Sequence, residues 1–250
     1  MKSIKLSRKN SIIIMAVSIA VAVILIVANI VTGIYSGLIT VALSSGGTVS
    51  SEEGKKTCQE VEAEGIVLLK NRDGALPLSS DEKNLALIGQ DSVDFVYGGA
   101  GSGSVDTANA PTLKTALEKS DFRVNTTLWN FYETGAGKAY RKQVPDSSGK
   151  GSFAVNEVPQ SVYTDAVLSS MDNDDVGVVV IGRSGGESAD IPTTPLASGY
   201  LYLEPDKDEL DMIAMACGKF DKVIVIINSN NAMELGFLED PAYANVKAAL

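Results

Sequence analysis

The chain has 250 residues, 31 acidic against 21 basic, a formal net charge of -10 and no histidine. An acidic balance disfavours nucleic acid and other anionic polymers as partners, because binding them needs a basic footprint. Without histidine this chain alone supplies no Ser-His-Asp or Cys-His catalysis and no His-ligated metal site; no cofactor and no metal is expected.

The first 11 residues hold Lys2, Lys5, Arg8 and Lys9 and no acid. From Ile12 to about Val31 the sequence is apolar, and the next charge is Glu52. Roughly 20 apolar residues suffice to cross a bilayer core as a helix, and the basic flank faces the cytoplasm. Residues 1–11 therefore read as a cytoplasmic basic segment and residues 12–31 as a single transmembrane, signal-anchor helix in the cell membrane, with the main domain outside the cytoplasm. A cleaved signal peptide is the alternative. Its apolar region normally runs roughly 7–15 residues, shorter than this one, although Ala42 and Ser44 fit a small-residue cleavage site. Beyond the anchor, 17 basic residues face all 31 acidic ones, a formal charge of -14, which suits a neutral substrate.

Residues 32–51 read as a linker, flexible where Ser44–Ser51 is Gly, Ser, Thr and Val. Glu52–Glu64 is helical in pattern, with Cys58, Val61 and Ala63 as the inward residues. Cys58 and Cys217 are read as buried free thiols. Ile66–Leu69 is a short apolar run before a turn at Asn71–Gly74. Leu85–Gly89 (LALIG), Val176–Gly182 (VGVVVIG) and Val223–Asn228 (VIVIIN) are continuous apolar runs, as expected of strands buried on both faces of a parallel sheet. Helical stretches alternate with them: Thr112–Lys119, roughly Leu128–Lys142, Pro159–Met171 and Asp206–Lys219. The pattern predicts an α/β fold, a mostly parallel sheet flanked by helices. Asn245–Leu250 (NVKAAL) reads as the start of a further buried strand, so the domain over 52–250 is expected to be incomplete at its C-terminus.

In such sheets ligands approach the carboxyl ends of the strands, which singles out three loops. The first contains Tyr97–Ser104 (YGGAGSGS). It lacks the G-x-G-x-x-G spacing of a dinucleotide loop and the G-K-[ST] ending of a phosphate-binding loop, which weakens a nucleotide-binding reading. The second is Gly182–Asp190 (GRSGGESAD). There Glu187 sits amid small residues at the end of the central strand, four positions after Arg183. Partial burial would raise its pKa and make it a proton donor; a solvated loop glutamate is the other reading. The third, Asn228–Asn231, leads into a predicted helix Ala232–Leu238 and suits hydroxyl recognition or helix capping. Asp172–Asp175 (DNDD) lacks the glycine and distal glutamate of a calcium loop and reads as a surface turn. Asp206, Asp208 and Glu209 read as first-turn acids favoured by the helix dipole.

Glu64–Asn71 (EGIVLLKN) with Leu76–Leu78, Leu85–Gly89 with Gly98–Val105 (GGAGSGSV), Val178–Asp190 (VVVIGRSGGESAD) and Val223–Leu235 (VIVIINSNNAMEL), taken in order, resemble glycoside hydrolase family 3, the β-glucosidase-like family. The resemblance is to its α/β-sandwich domain and covers about Glu52 to Leu250. It implies retaining hydrolysis of oligosaccharides or glycosides, with an aspartate nucleophile on a (β/α)₈ barrel and a glutamate acid/base in a sandwich-domain loop of pattern S-G-E-G-x-D. Glu187 falls on that glutamate, Gly186 and Asp190 match their positions, and Ser188 departs from the pattern. The resemblance implies Glu187 as acid/base and Arg183 and Asp190 as substrate-binding residues. A barrel takes roughly 250 residues, more than precedes the sandwich. The order implied is that of circularly permuted members, with the barrel downstream. The rival reading is a non-catalytic carbohydrate-binding or scaffolding module at the cell surface, or a decayed gene fragment.

Overall fold

The computed structural model describes residues 7–44, 51–99, 107–108, 110–142, 151–187 and 190–250. Two compact units emerge, Met1–Gly65 and Ile66–Leu250. In the first, helix α1 spans Arg8–Ser44. Within Arg8–Gly33 an 18-residue window reaches a mean hydropathy of 3.1 and is not buried, so this helix is long and apolar enough to cross a membrane. The helix continues through residues 32–44, most of the segment expected to be linker; residues 45–50 lie outside the described residues. Helix α2, Ser51–Gly65, also falls in this unit. Its expected inward residues are not buried: Cys58 is exposed and Val61 is 66 % exposed. Among the described residues of this unit nothing buries that face. Cys217 is half-buried rather than buried.

The second unit is a six-stranded mixed sheet: β1 Lys70–Asn71, β2 Asn84–Ile88, β3 Arg123–Val124, β4 Val176–Arg183, β5 Val223–Ser229 and β6 Val246–Ala249, in the order β1-β6-β5-β4-β2-β3. Only β1 pairs antiparallel. The three apolar runs lie at the centre, where both faces are covered, and every residue of β4 is buried. Alternation divides their side chains. Ala86, Ile88, Val179, Ile181, Val223 and Val225 face one core. The helices on that side are α4 (Thr126–Glu133), α5 (Asp165–Ser170) and α6 (Lys207–Lys219), contributing Phe131, Tyr132, Val167, Met212 and Ala216. Leu85, Leu87, Val176, Val178 and Ile224 face the other core with Trp129, and α3 (Leu113–Lys119) packs there through Leu113 and Leu117.

Local chemistry sets the helix ends. Thr112, Asn125, Thr164 and Asp206 each accept a backbone N–H at the start of α3, α4, α5 and α6, which gives an acceptor to a donor that a helix start leaves unpaired. The expected helix 128–142 instead stops at Glu133, where Gly135 interrupts it, and resumes as a 3₁₀ turn over Ala136–Tyr140. The expected helix Ala232–Leu238 is absent, and only a 3₁₀ turn forms at Gly236–Glu239. Asp172–Asp175 is a turn that ties strands rather than ions: one Asp175 oxygen accepts from the backbone N–H groups of Lys83 and Asn84 and from the Asn84 side chain, at 2.8–3.0 Å.

Gly89, just after β2, has φ +105°, and a Cβ there would lie 2.7 Å from the carbonyl oxygen of Val180 on β4. Positive φ and a backbone clash act together, so Gly89→Ala is expected to destabilise the fold by roughly 2–4 kcal/mol. Gly74→Ala is the control, also at positive φ (+65°) but with open space around it, and is expected to cost about 1 kcal/mol. Denaturant titration of both variants checks this; equal midpoints would contradict the role given to the Val180 contact.

Candidate active site

Because β2, β4 and β5 run parallel in neighbouring positions, their carboxyl ends share one edge and deliver the three singled-out loops to it. The structure brings these loops into contact. The Asn228 side chain, at the end of β5, accepts from Val96 N at 2.5 Å and donates to Val96 O at 3.1 Å. A Cβ on Gly99 would lie 2.7 Å from the Gly185 carbonyl oxygen, so the first loop rests against the second. Between them lies a cavity of about 360 Å³ lined by Asp91, Phe95, Tyr97, Gly99, Lys142 and Ser184 among others. The Asn228 side chain serves the loop backbone in this structure. Residues 100–106 of the glycine-rich stretch lie outside the described residues.

Glu187 lies in a turn four residues beyond the end of β4 and is exposed. The partial burial that a proton donor needs is not provided by the described residues of this chain. Asp190 is also exposed, and residues 188–189 between them are outside the described residues. Arg183 is different. It is 0 % exposed, and protein groups take up its donors. Nη1 and Nη2 pair with the two Glu209 oxygens at 2.7 and 2.6 Å, Nη1 also reaches Gly182 O, Nη2 reaches Glu204 O, and Nε reaches Tyr202 O. A guanidinium has five N–H donors, and all are committed here. In this structure Arg183 anchors the base of the Glu187 loop to the start of α6.

Beneath the cavity floor the chain buries more charge. Asp91, which follows β2, accepts from Lys142 Nζ at 2.8 and 2.7 Å and from Gly182 N at 2.7 Å, while Lys142 also donates to Gly182 O at 3.0 Å. Burial works against the Lys142 ammonium, but the negative charges of Asp91 and Glu209 outweigh it and hold its pKa above the ordinary lysine value. Burial pushes the Asp91 carboxyl up, with Lys142 opposing. Glu157 is 3 % exposed and accepts from Gln90 N and Val158 N. Burial first, then the charge of Asp91, push its pKa from 4.5 up to about 8. Tyr132 accepts from Gly89 N at 2.8 Å and shares a hydrogen bond with Tyr163; burial raises both phenols. Among the described residues no group of three or more His, Cys, Asp or Glu side chains is arranged to hold a metal ion.

Sequence reasoning missed Asp91, Lys142, Glu157 and Tyr202. Asp91 carried a signal, an acid two residues past a glycine-ended strand. Glu157 and Tyr202 lie in stretches without periodicity and carried none. The Asp206-x-x-Glu209 spacing was visible, and it forms a capping box; the ion pair of Glu209 with Arg183 was not legible.

Residues 66–250 match the family model described as the glycosyl hydrolase family 3 C-terminal domain. The chain belongs to this family. It is 29 % identical over 145 residues to "Beta-glucosidase A" of Butyrivibrio fibrisolvens, an alignment covering 57 % of this chain and 16 % of that protein. The structure is similar to β-glucosidase 3B of Thermotoga neapolitana in complex with glucose (TM-score 0.63, 26 % identity, 80 % of this chain and 27 % of that one). It is similar too to a β-glucosidase of Paenibacillus barengoltzii (TM-score 0.60, 25 % identity, 75 % and 20 %). The chain thus spans about a quarter or less of the length of these relatives. The expected mixed α/β sheet flanked by helices is the fold of this family 3 domain.

The buried carboxyl of Glu157 predicts a pH dependence of stability. A carboxyl with a folded pKa of about 8 and an unfolded value of 4.5 binds its proton more tightly in the fold. Its contribution is complete below about pH 4.5 and is lost as pH rises toward 8. Glu157→Gln keeps the group neutral, so unfolding free energy is expected to fall less steeply between pH 5 and 8 than in the parent, by on the order of a few kcal/mol across the window. Denaturant titrations at stepped pH check this; identical slopes in the two proteins would contradict it.

Proposed function

We propose that this chain supplies the acid/base domain of a membrane-anchored, retaining glycoside hydrolase that removes β-linked glucose, or a related sugar, from oligosaccharides outside the cell. The observation that carries the reading is the place of Glu187. It stands just past the carboxyl end of the central strand, in a loop rooted by a buried ion pair, within a domain of the family 3 C-terminal type. In this reading the nucleophile is an aspartate on a barrel that lies outside these 250 residues, downstream in the permuted order. Two carboxyl groups about 5–5.5 Å apart perform retention. The nucleophile attacks the anomeric carbon while Glu187 gives its proton to the departing glycosidic oxygen. Glu187 then takes a proton from the water that releases the sugar.

Asp190, exposed three positions after Glu187, is assigned to the substrate side of the loop. A neutral sugar suits an exported body with a formal charge of -14, since an anionic substrate would meet repulsion. Helix α1 is assigned as the single-pass anchor, with Lys2, Lys5, Arg8 and Lys9 on the cytoplasmic side.

The purified chain alone is expected not to hydrolyse an aryl β-glucoside; turnover by it would overturn the placement of the nucleophile outside this chain. In a polypeptide that joins the chain to a barrel with an aspartate nucleophile, Glu187→Gln is expected to lower kcat/KM about 10²–10⁴-fold for alkyl β-glucosides, whose departure needs a proton. A dinitrophenyl β-glucoside should be largely spared. Equal losses on both substrates would remove Glu187 from the acid/base role and favour a non-catalytic module. Deleting Ile12–Val31 is expected to shift the protein from the carbonate-washed membrane fraction to the soluble one; a deleted chain that stays with the membrane would argue against the anchor.

A further inference from the structure

Pairing between β4 and β5 ends at Arg183 opposite Ser229. The chain then leaves this pairing, and four residues later presents Glu187. Something other than the strand ladder must hold this stretch if a carboxyl at its tip is to be placed reproducibly. The first fixture is Tyr202. Its side chain is 0 % exposed, and its hydroxyl accepts from Ser184 N at 3.1 Å and donates to Ser184 O at 3.0 Å. One phenol thus does for Ser184 what the next strand partner would have done. The phenol ring is itself wedged. The Phe153 ring meets it edge-on at 5.0 Å, and the Arg183 guanidinium lies 5.5 Å from its centre. Its carbonyl receives Arg183 Nε. Tyr202 is therefore fixed before it fixes Ser184.

A second fixture comes from the other side. Asn228 makes the same kind of two-point hold on Val96, at the head of the glycine-rich stretch. Three residues on, Gly99 abuts the Gly185 carbonyl oxygen so closely that a Cβ would lie 2.7 Å from it. Its φ is not in the left-handed region, so contact rather than backbone conformation excludes a side chain here. Below 3 Å one side must move, and both sides are backbone. The glycine after Phe95–Gly98 thus serves as a stop for the acid/base loop, a role the failed nucleotide spacing of the same stretch leaves open.

We propose that Tyr202 and Gly99 are positioning residues for Glu187, one clipping the loop at Ser184 and the other bearing on it at Gly185. The inference rests on the acid/base reading of Glu187 given above, and its test separates the two. Tyr202→Phe removes one oxygen and keeps the ring against Phe153 and Arg183. Gly99→Ala removes no hydrogen bond and pushes the loop from the opposite side, so it remains informative should the tyrosine variant fold poorly.

Amide hydrogen exchange of the 250-residue chain is the first measurement. Both variants are expected to speed exchange across residues 184–187 about tenfold or more, in line with loss of one net hydrogen bond's worth of hold, while Val178–Ile181 stay as slow as in the parent. Unchanged exchange at 184–187, or acceleration running equally through β4, overturns the proposal. The second measurement uses the barrel-bearing polypeptide. Each variant is expected to lower kcat on an alkyl β-glucoside about tenfold at similar KM, with little loss on a dinitrophenyl β-glucoside, a milder copy of Glu187→Gln. If Glu187→Gln discriminates the two leaving groups and neither variant does, the positioning role fails. If the loop loosens but Glu187→Gln itself does not discriminate, the acid/base reading fails and the hold on the loop stands.

Discussion

The buried pair of Arg183 and Glu209 is the interaction on which the rest of this domain depends. Both side chains are essentially inaccessible. Removing either would leave a lone charge in the interior, a loss of about 3–5 kcal/mol. The pair is bidentate, and its remaining donors and acceptors are spent on fixed backbone: Arg183 on three carbonyls, Glu209 on the Asp206 N–H of its own capping box. One ion pair therefore joins three things, the end of the central strand, the start of α6 and the segment carrying Tyr202. Its cost in desolvation is offset by the order it imposes where the sheet ends and the loops begin.

The same edge buries Asp91 with Lys142 and, nearby, Glu157. In an acidic chain the way these carboxyls are handled differs with what is within reach. Asp91 has an ammonium at 2.7 Å and accepts from the backbone N–H of Gly182, also at 2.7 Å. Glu157 has only two backbone N–H groups and the repulsion of Asp91 and Glu209, so desolvation wins and its proton is held to about pH 8. Gly182 makes the arrangement possible, since a Cβ there would overlap the Asp91 carboxylate at 2.7 Å. A glycine next to the last residue of this largely β-branched strand is thus a packing requirement of the charge beside it.

What was legible in the sequence follows from how local each signal is. Continuous apolar runs identified β2, β4 and β5, because burial on both faces leaves no polar alternation to misread, and Asn245–Leu250 pointed to β6 despite Lys247 within it. The two-residue strands β1 and β3 were invisible, since they exist only through pairing with β6 and β2. Ala232–Leu238 has helical spacing, yet Glu234 N bonds to Leu203 O across the fold instead of entering a helix. Cys58 and Val61 show the converse, a helical stripe with no core to meet. At the site, the order of the motifs put Glu187 in the loop after the central strand, where it lies four residues past β4, whereas the partners that take up the five donors of Arg183 were not legible. Spacing shows which residues share a loop; it does not show which of them the protein has already used.

That distinction bears on how an exposed Glu187 can act as the acid. Within this one chain, burial lifts Glu157 by shutting out water, and nothing among the described residues does the same at Glu187. A general acid at neutral pH needs either a low-dielectric wall or a second carboxylate close by. In the proposed enzyme both arrive with the barrel, which brings the nucleophilic carboxylate to about 5–5.5 Å and closes the cleft over the sugar. The division of labour is then physical as well as topological. In that proposal this domain fixes where the acid stands, through Arg183, Glu209 and Tyr202, and the surface that faces it sets when the proton is held. An acid/base loop that gained its raised pKa before assembly would have to be buried, and a buried loop could not receive the glycosidic oxygen it serves.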